Sequence, residues 1–395
     1  MKEQIMTRLK IATTFAVVLI LLVTNVFSAL PDPLVSESGQ PVKTAKEWEE
    51  QRRPEILELF RTHVYGRAPV GRPKDLCFKV IEENKNAMDG KATLKRIEIR
   101  FSGPGGSGKI EPVIFIPNNR TSPAPGFLLI CHRGKDNLDP TREKRSTFWP
   151  AEEIIARGYA AIGFYTPEVD PDKNDGFKDG IHGIFDPWPE GQRPGDAWGT
   201  IAAWAWGASR VMDYLETDND IDATHIGVLG HSRGGKAALW CGAEDERFAL
   251  VISNDSGSTG AALARNKKGE SIAAINKSFP HWFCENYRKY NKEEEKLPID
   301  QHQLIALMAP RLVYVASASQ DEWADPRSEF MSCFHASPVW KLWKRPGVTV
   351  SEPPPVNKPV HDGYVGYHLR EGRHNLELSD WNWYMDFADK HLLKP

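Results

Sequence analysis

Thr224-His225-Ile226-Gly227-Val228-Leu229-Gly230-His231-Ser232-Arg233-Gly234-Gly235-Lys236 decides the fold. Its first six residues are apolar and β-branched enough to read as a short buried strand. Lys236 to Ala243 is rich in Ala, Leu and Trp and reads as a helix. Between them stands G-x-S-x-G. A strand, a turn tight enough to demand small flanking residues, and a new helix together make a nucleophile elbow. Such a turn lifts the Ser232 hydroxyl above the sheet, and the helix N-terminus beside it favours negative charge.

Outward from the elbow, the chain alternates strands and helices. Val113 to Ile116, Phe127 to Cys131, Tyr159 to Phe164, Phe248 to Ser253 and Arg311 to Ser317 are continuous apolar runs. Strands covered on both faces look like this. Ile97, Ile99 and Phe101 alternate with Glu98 and Arg100 and predict a half-buried antiparallel strand. The spacing of Ile201, Trp204, Ala205, Ala208, Val211, Met212 and Leu215 predicts an amphipathic helix over 201–215. Lys46 to His63 and Trp381 to Leu393 also read as helices. The pattern specifies an α/β-hydrolase fold, a mostly parallel sheet flanked by helices in a three-layer sandwich. One catalytic domain is expected over 30–395. Two stretches without regular pattern, about 167–198 and 267–300, are expected to form the rim of the site.

The chain has 395 residues, a net charge of −3 and 13 Trp. No basic stripe is present, which excludes nucleic acid as a partner. Lys2, Arg8 and Lys10 precede the apolar run Ile11 to Val26 and the small residues Ser28-Ala29. Residues 1–29 therefore read as a signal peptide, and the protein as secreted or periplasmic. An uncleaved anchor helix is the alternative; after cleavage, no stable membrane association is expected. Five cysteines, widely spaced and odd in number, do not form a disulfide framework. Neither C-x-x-C nor H-E-x-x-H occurs, so no metal and no other cofactor is expected.

A serine nucleophile needs a base, which this fold places on a loop between the last strand and the last helix. His374, in Glu371-Gly372-Arg373-His374-Asn375, fits; His368, inside the run Val365 to Leu369, is the runner-up and reads as structural. The acid that orients the base follows the serine in the chain. Asp255, Asp321 and, more weakly, Asp325 satisfy that order. The backbone N–H of Arg233 supplies one oxyanion donor, and the Arg233 guanidinium could add charge there. Lys236, one turn on, is placed for a substrate contact.

With these residues placed, the chain resembles the bacterial glucuronoyl esterases of their carbohydrate esterase family. Gly230 to Lys236, with Arg and Lys after the serine, resembles the family's nucleophile motif. Asn254 to Gly260 resembles its acid segment, and Leu297 to His302 and Trp323-Ala324-Asp325-Pro326 resemble further signatures. The resemblance implies esters between glucuronic or 4-O-methylglucuronic acid side groups of xylan and lignin alcohols as substrates. It implies Ser232, His374 and Arg233 as catalytic residues, and Lys236, Trp323, Gln301 and His302 as substrate contacts. The family acid at Asp255 is often Glu, and in some members the acid moves one strand on, which favours Asp321. Cys131-His132-Arg133-Gly134 departs from the Asn- and Gly-rich turn usual there. A plant cell-wall polysaccharide, glucuronoxylan ester, is thus the expected partner of a monomer. The alternatives are an acetylxylan or other carbohydrate esterase, and a non-catalytic carbohydrate-binding protein.

Overall fold

Strands buried on both faces need two separate cores, and the sequence provides them by alternation. In Phe127 to Cys131, Leu128 and Ile130 enter one apolar cluster while Phe127, Leu129 and Cys131 enter the other. Val313 and Val315 likewise part from Leu312, Tyr314 and Ala316. Each fully buried Val, Leu, Ile or Phe among them contributes about 1.5–3 kcal/mol. A computed structural model describes residues 30–392 apart from 190. The signal-peptide expectation over 1–29 lies outside the described residues.

The strands are β1 (Cys77–Asn86), β2 (Ala92–Gly103), β3 (Gly106–Ile110), β4 (Val113–Pro117), β5 (Ala124–Cys131), β6 (Ala160–Tyr165), β7 (Ile221–His231), β8 (Leu250–Asn254), β9 (Leu312–Ala318) and β10 (Val365–Arg370). They form one sheet in the order β1-β2-β4-β6-β5-β7-β8-β9-β10, with β3 paired to β2. From β6 to β10 every pairing is parallel; β1 to β4 add an antiparallel end. The order turns back at β6-β5-β7. Ligands bind at the carboxyl ends of strands near such a reversal, and β5 and β7 end in Cys131 and His231, beside Ser232.

The helix Thr200–Leu215 is buried on every side, not on one face as its spacing predicts. The segment through Gly71 crosses its outer face: the Gly71 carbonyl accepts from Trp206 Nε1 and Arg210 Nη1, both at 2.8 Å. The rim stretches are also more regular than expected. They contain the helices Gly180–Phe185 and Ile272–Ser278, too short for helical periodicity to show. The helix after Ser232 begins at Arg233 and ends at Glu244. Among the described residues, no helix is long and apolar enough to cross a membrane.

The elbow requires its glycines. A Cβ on Gly230 would lie 2.0 Å from the Gly234 carbonyl oxygen, and one on Gly234 would lie 2.8 Å from the Ile130 oxygen. Backbone atoms on both sides cannot yield. Gly230→Ala is therefore expected to cost more than about 4 kcal/mol, read as a greatly lowered Tm or as no soluble protein. A wild-type Tm would contradict the turn described here.

Candidate active site

Ser232 stands in the turn with φ 55° and ψ −123°. An L-residue holds this strained conformation only when its surroundings enforce it. Ser232 N–H donates to the Asn254 carbonyl on β8 at 2.8 Å, and the helix closes over it through Gly235 N–H to Ser232 O at 2.9 Å. The strain is thus anchored to the neighbouring strand.

His374 lies on the loop after β10, partly open to solvent. Its Nδ1 and Asp321 Oδ2 are 2.6 Å apart. Its ring lies 4.4 Å, centroid to centroid, from that of His231, the residue before Ser232. Asp321 is on the turn after β9 and also accepts from Ala324 N–H at 3.3 Å. The two aspartates converge on His374: Asp255, Asp321 and His374 each present an atom within 4.8 Å of the others. Their environments differ. Asp255 is buried after β8; its Oδ2 accepts from Asn375 N–H at 3.2 Å, and Arg370 Nη2 is 3.7 Å away. Burial, then the charges of Glu329, Asp380 and Asp321, push its carboxyl well above the usual range. A carboxyl driven toward its neutral form is a weak partner for an imidazolium and a poor metal ligand.

The remaining candidates separate. His368 is fully buried in β10, paired with Asp380 Oδ1 at 2.8 Å, a structural histidine. Asp325 caps the helix Pro326–Ala336, accepting from Ser328 N–H at 3.2 Å. Arg233 does not point freely into the site. Its Nη1 donates to Asp172 Oδ2, and its guanidinium lies 4.7 Å from the Trp282 ring and 5.2 Å from that of Phe279. Asp172 Oδ1 pairs with His281 Nε2 at 2.9 Å and accepts from Trp282 Nε1 at 2.8 Å. Burial opposes ionisation of Asp172, but these hydrogen bonds and the Arg233 charge hold its carboxyl well below the usual range. The two rim stretches therefore meet at one carboxylate that orients Arg233.

Lys236 is buried too. Its ammonium donates to the Ser256 and Ser258 carbonyls, the latter at 2.5 Å, leaving one of its three N–H bonds unengaged by them. Burial lowers its pKa to about 8. Trp323 is 59% exposed and lines a groove of about 940 Å³ with Leu263, Met331 and Tyr367. For Gln301 and His302 the expected substrate contact is corrected: both are fully buried. Gln301 Nε2 donates to the Gly260 carbonyl at 2.8 Å, and His302 Nε2 lies 2.8 Å from the Pro31 carbonyl. Both sit where packing against the backbone occupies these nitrogens.

Sequence reading missed Glu329. It is wholly buried below the Asp255 loop, where its carboxylate accepts from Gly257 N–H at 2.8 Å and Ser317 Oγ at 2.6 Å. It therefore fixes the turn that carries Asp255 and the carbonyls holding Lys236. Burial raises its pKa from 4.5 to about 7. Between those two pH values the folded chain binds more protons at this site than the unfolded chain. The contribution of Glu329 to stability is thus full below pH 4.5 and is lost as the pH rises toward 7. Replacing Glu329 by Gln should remove that loss. Melting curves of the two proteins should shift relative to one another, in favour of the variant, as the pH increases; parallel curves would contradict the assignment.

The reversal in strand order, the strained serine and the histidine–aspartate pair define an α/β-hydrolase. A family model described as glucuronyl esterase, fungi, matches residues 149–343. The chain is 40% identical over 390 residues to the carbohydrate esterase MZ0003 of an unknown prokaryotic organism, covering 92% of this chain and 89% of that one. The solved glucuronoyl esterase from Solibacter usitatus is 41% identical with a TM-score of 0.84, covering 92% of this chain and 97% of that one. A 4-O-methyl-glucuronoyl methylesterase of the fungus Phanerochaete carnosa is 28% identical over 322 residues, 79% of this chain and 71% of the relative. The chain belongs to the glucuronoyl esterase family.

Proposed function

We propose that this protein is a serine esterase that hydrolyses glucuronic and 4-O-methylglucuronic acid esters of glucuronoxylan. The observation that carries the reading is the 2.6 Å pairing of Asp321 with His374 Nδ1 beside the strained Ser232. Held through Nδ1, the imidazole turns Nε2 toward the nucleophile as general base. Ser232 Oγ attacks the ester carbonyl and its proton passes to His374. The oxyanion is met by the N–H of Arg233 at the helix N-terminus, with the Arg233 guanidinium beside it. The alcohol leaves with the proton from His374, and water activated by the same ring releases the uronic acid. Lys236 and Trp323 fit a polar, carboxyl-derived sugar ring by hydrogen bonding and stacking. Export by residues 1–29 and action as a monomer complete the reading.

Rates on benzyl glucuronate and on acetylated xylan test it. The glucuronate ester should be hydrolysed with at least about tenfold higher kcat/KM, since only the uronate engages Lys236 and Trp323. Preference for the acetyl ester would refute the substrate class and leave the nucleophile standing.

A further inference from the structure

The departure at Cys131-His132-Arg133-Gly134 places a histidine where this fold draws its second oxyanion donor, the turn after the strand beside the nucleophile strand. β5 pairs with β7 up to Ile130 and Gly230, and His132 follows at once. The His132 ring lies nearly parallel to that of His231, 5.9 Å away, and meets Phe148 edge-on at 6.0 Å. Its Nδ1 is buried without a hydrogen-bond partner. That nitrogen would be 3.4 Å from a Cβ on Gly234, so it faces the first turn of the nucleophile helix.

Two physical consequences follow. Burial, and then the charges of Arg233 and Arg133, lower the pKa of His132 to about 3; the ring is neutral and carries a single N–H. The positive end of the helix favours a lone pair on the nitrogen facing it. Nδ1 is therefore the acceptor, and Nε2, which unlike Nδ1 is not closed off from solvent, keeps the proton. The charges acting on the ring are those of Arg233, Arg133, Asp172 and His374.

We infer that His132 is a catalytic residue of this chain, its Nε2–H donating to the ester carbonyl oxygen as that oxygen becomes an oxyanion. The inference rests on the esterase reading above. His132 keeps its proton throughout, because only His374 accepts and returns one. It complements Arg233, whose Nη1 is already engaged by Asp172.

The test is benzyl glucuronate hydrolysis by the full chain as wild type, His132→Phe, His132→Gln and Ser232→Ala. Phe preserves the ring contacts without a donor, and Gln restores an N–H. kcat of His132→Phe should fall about 10²-fold with KM nearly constant, and equally at every pH where wild type works. His132→Gln should recover at least about tenfold of that loss. A His132→Phe kcat within about threefold of wild type overturns the role of His132 alone. So does a loss confined to KM. Should His132→Phe fold poorly, His132→Leu, equally without a donor, takes its place under the same thresholds. A wild type that is inactive, like Ser232→Ala, overturns both this role and the esterase reading.

Discussion

Ser232→Ala is expected to lower kcat on benzyl glucuronate by on the order of 10⁵-fold without lowering Tm. His374→Ala should do nearly the same. The two losses should not add, because a serine without its base and a base without its serine fail in the same step. Residual rate would come from the oxyanion donors and substrate binding. Tm should hold because neither side chain supports the core: Ser232 is anchored through its backbone to Asn254, and His374 lies partly exposed on its loop. The backbone conformation at φ 55° is as open to Ala as to Ser, since both carry a Cβ in the same place. Retention of a tenth of the activity by either variant would remove the proposed nucleophile or base.

The second large effect separates the two aspartates. Asp321→Asn should cost on the order of 10⁴-fold in kcat, because an amide at the position paired with His374 Nδ1 favours the wrong tautomer and cannot stabilise the imidazolium. Asp255→Asn should cost far less, about tenfold to 10²-fold. Its Oδ2 accepts from Asn375 N–H, so it shapes the loop bearing His374, and burial with three neighbouring acids already disfavours its charge. Should Asp255→Asn prove the more damaging, the triad acid would be the one after β8, and Asp321 a neighbour that helps place the ring. Arg370, 3.7 Å from Asp255 and ion-paired with Asp380, would then be the charge that sustains it.

How much of this was legible in the sequence depends on burial and on range. β5 to β9 were plain because strands covered on both faces must be apolar throughout. β1 carries Lys79, Glu82, Glu83 and Lys85 on an exposed edge, and its Val80 and Ile81 face solvent too, so no alternation of apolar and polar residues marks a strand. The elbow was legible because its glycines answer a backbone constraint that local sequence expresses. His374 could be told from His368 by position alone, one on the loop and the other in β10. The relation of Asp172 to Arg233 was not legible: the carboxylate precedes the arginine by 61 residues and meets Trp282 110 residues on. Nothing in the local sequence marks Glu329, in the first turn of the helix Pro326–Ala336, as buried, and only the packed structure shows the Gly257 N–H beside it. The contact expected of Gln301 and His302 rests on the resemblance of Leu297 to His302 to a family signature, but in this chain the segment opens a buried helix whose cap is Asp300.

The most direct test of the account is labelling of the folded protein by an irreversible serine-directed phosphonate, located by peptide mass. The account predicts one phosphonyl group, on the peptide that carries Ser232, formed rapidly in wild type, slowly in His374→Ala and not at all in Ser232→Ala. Absence of label on wild type that remains folded, or label on another serine, would contradict it.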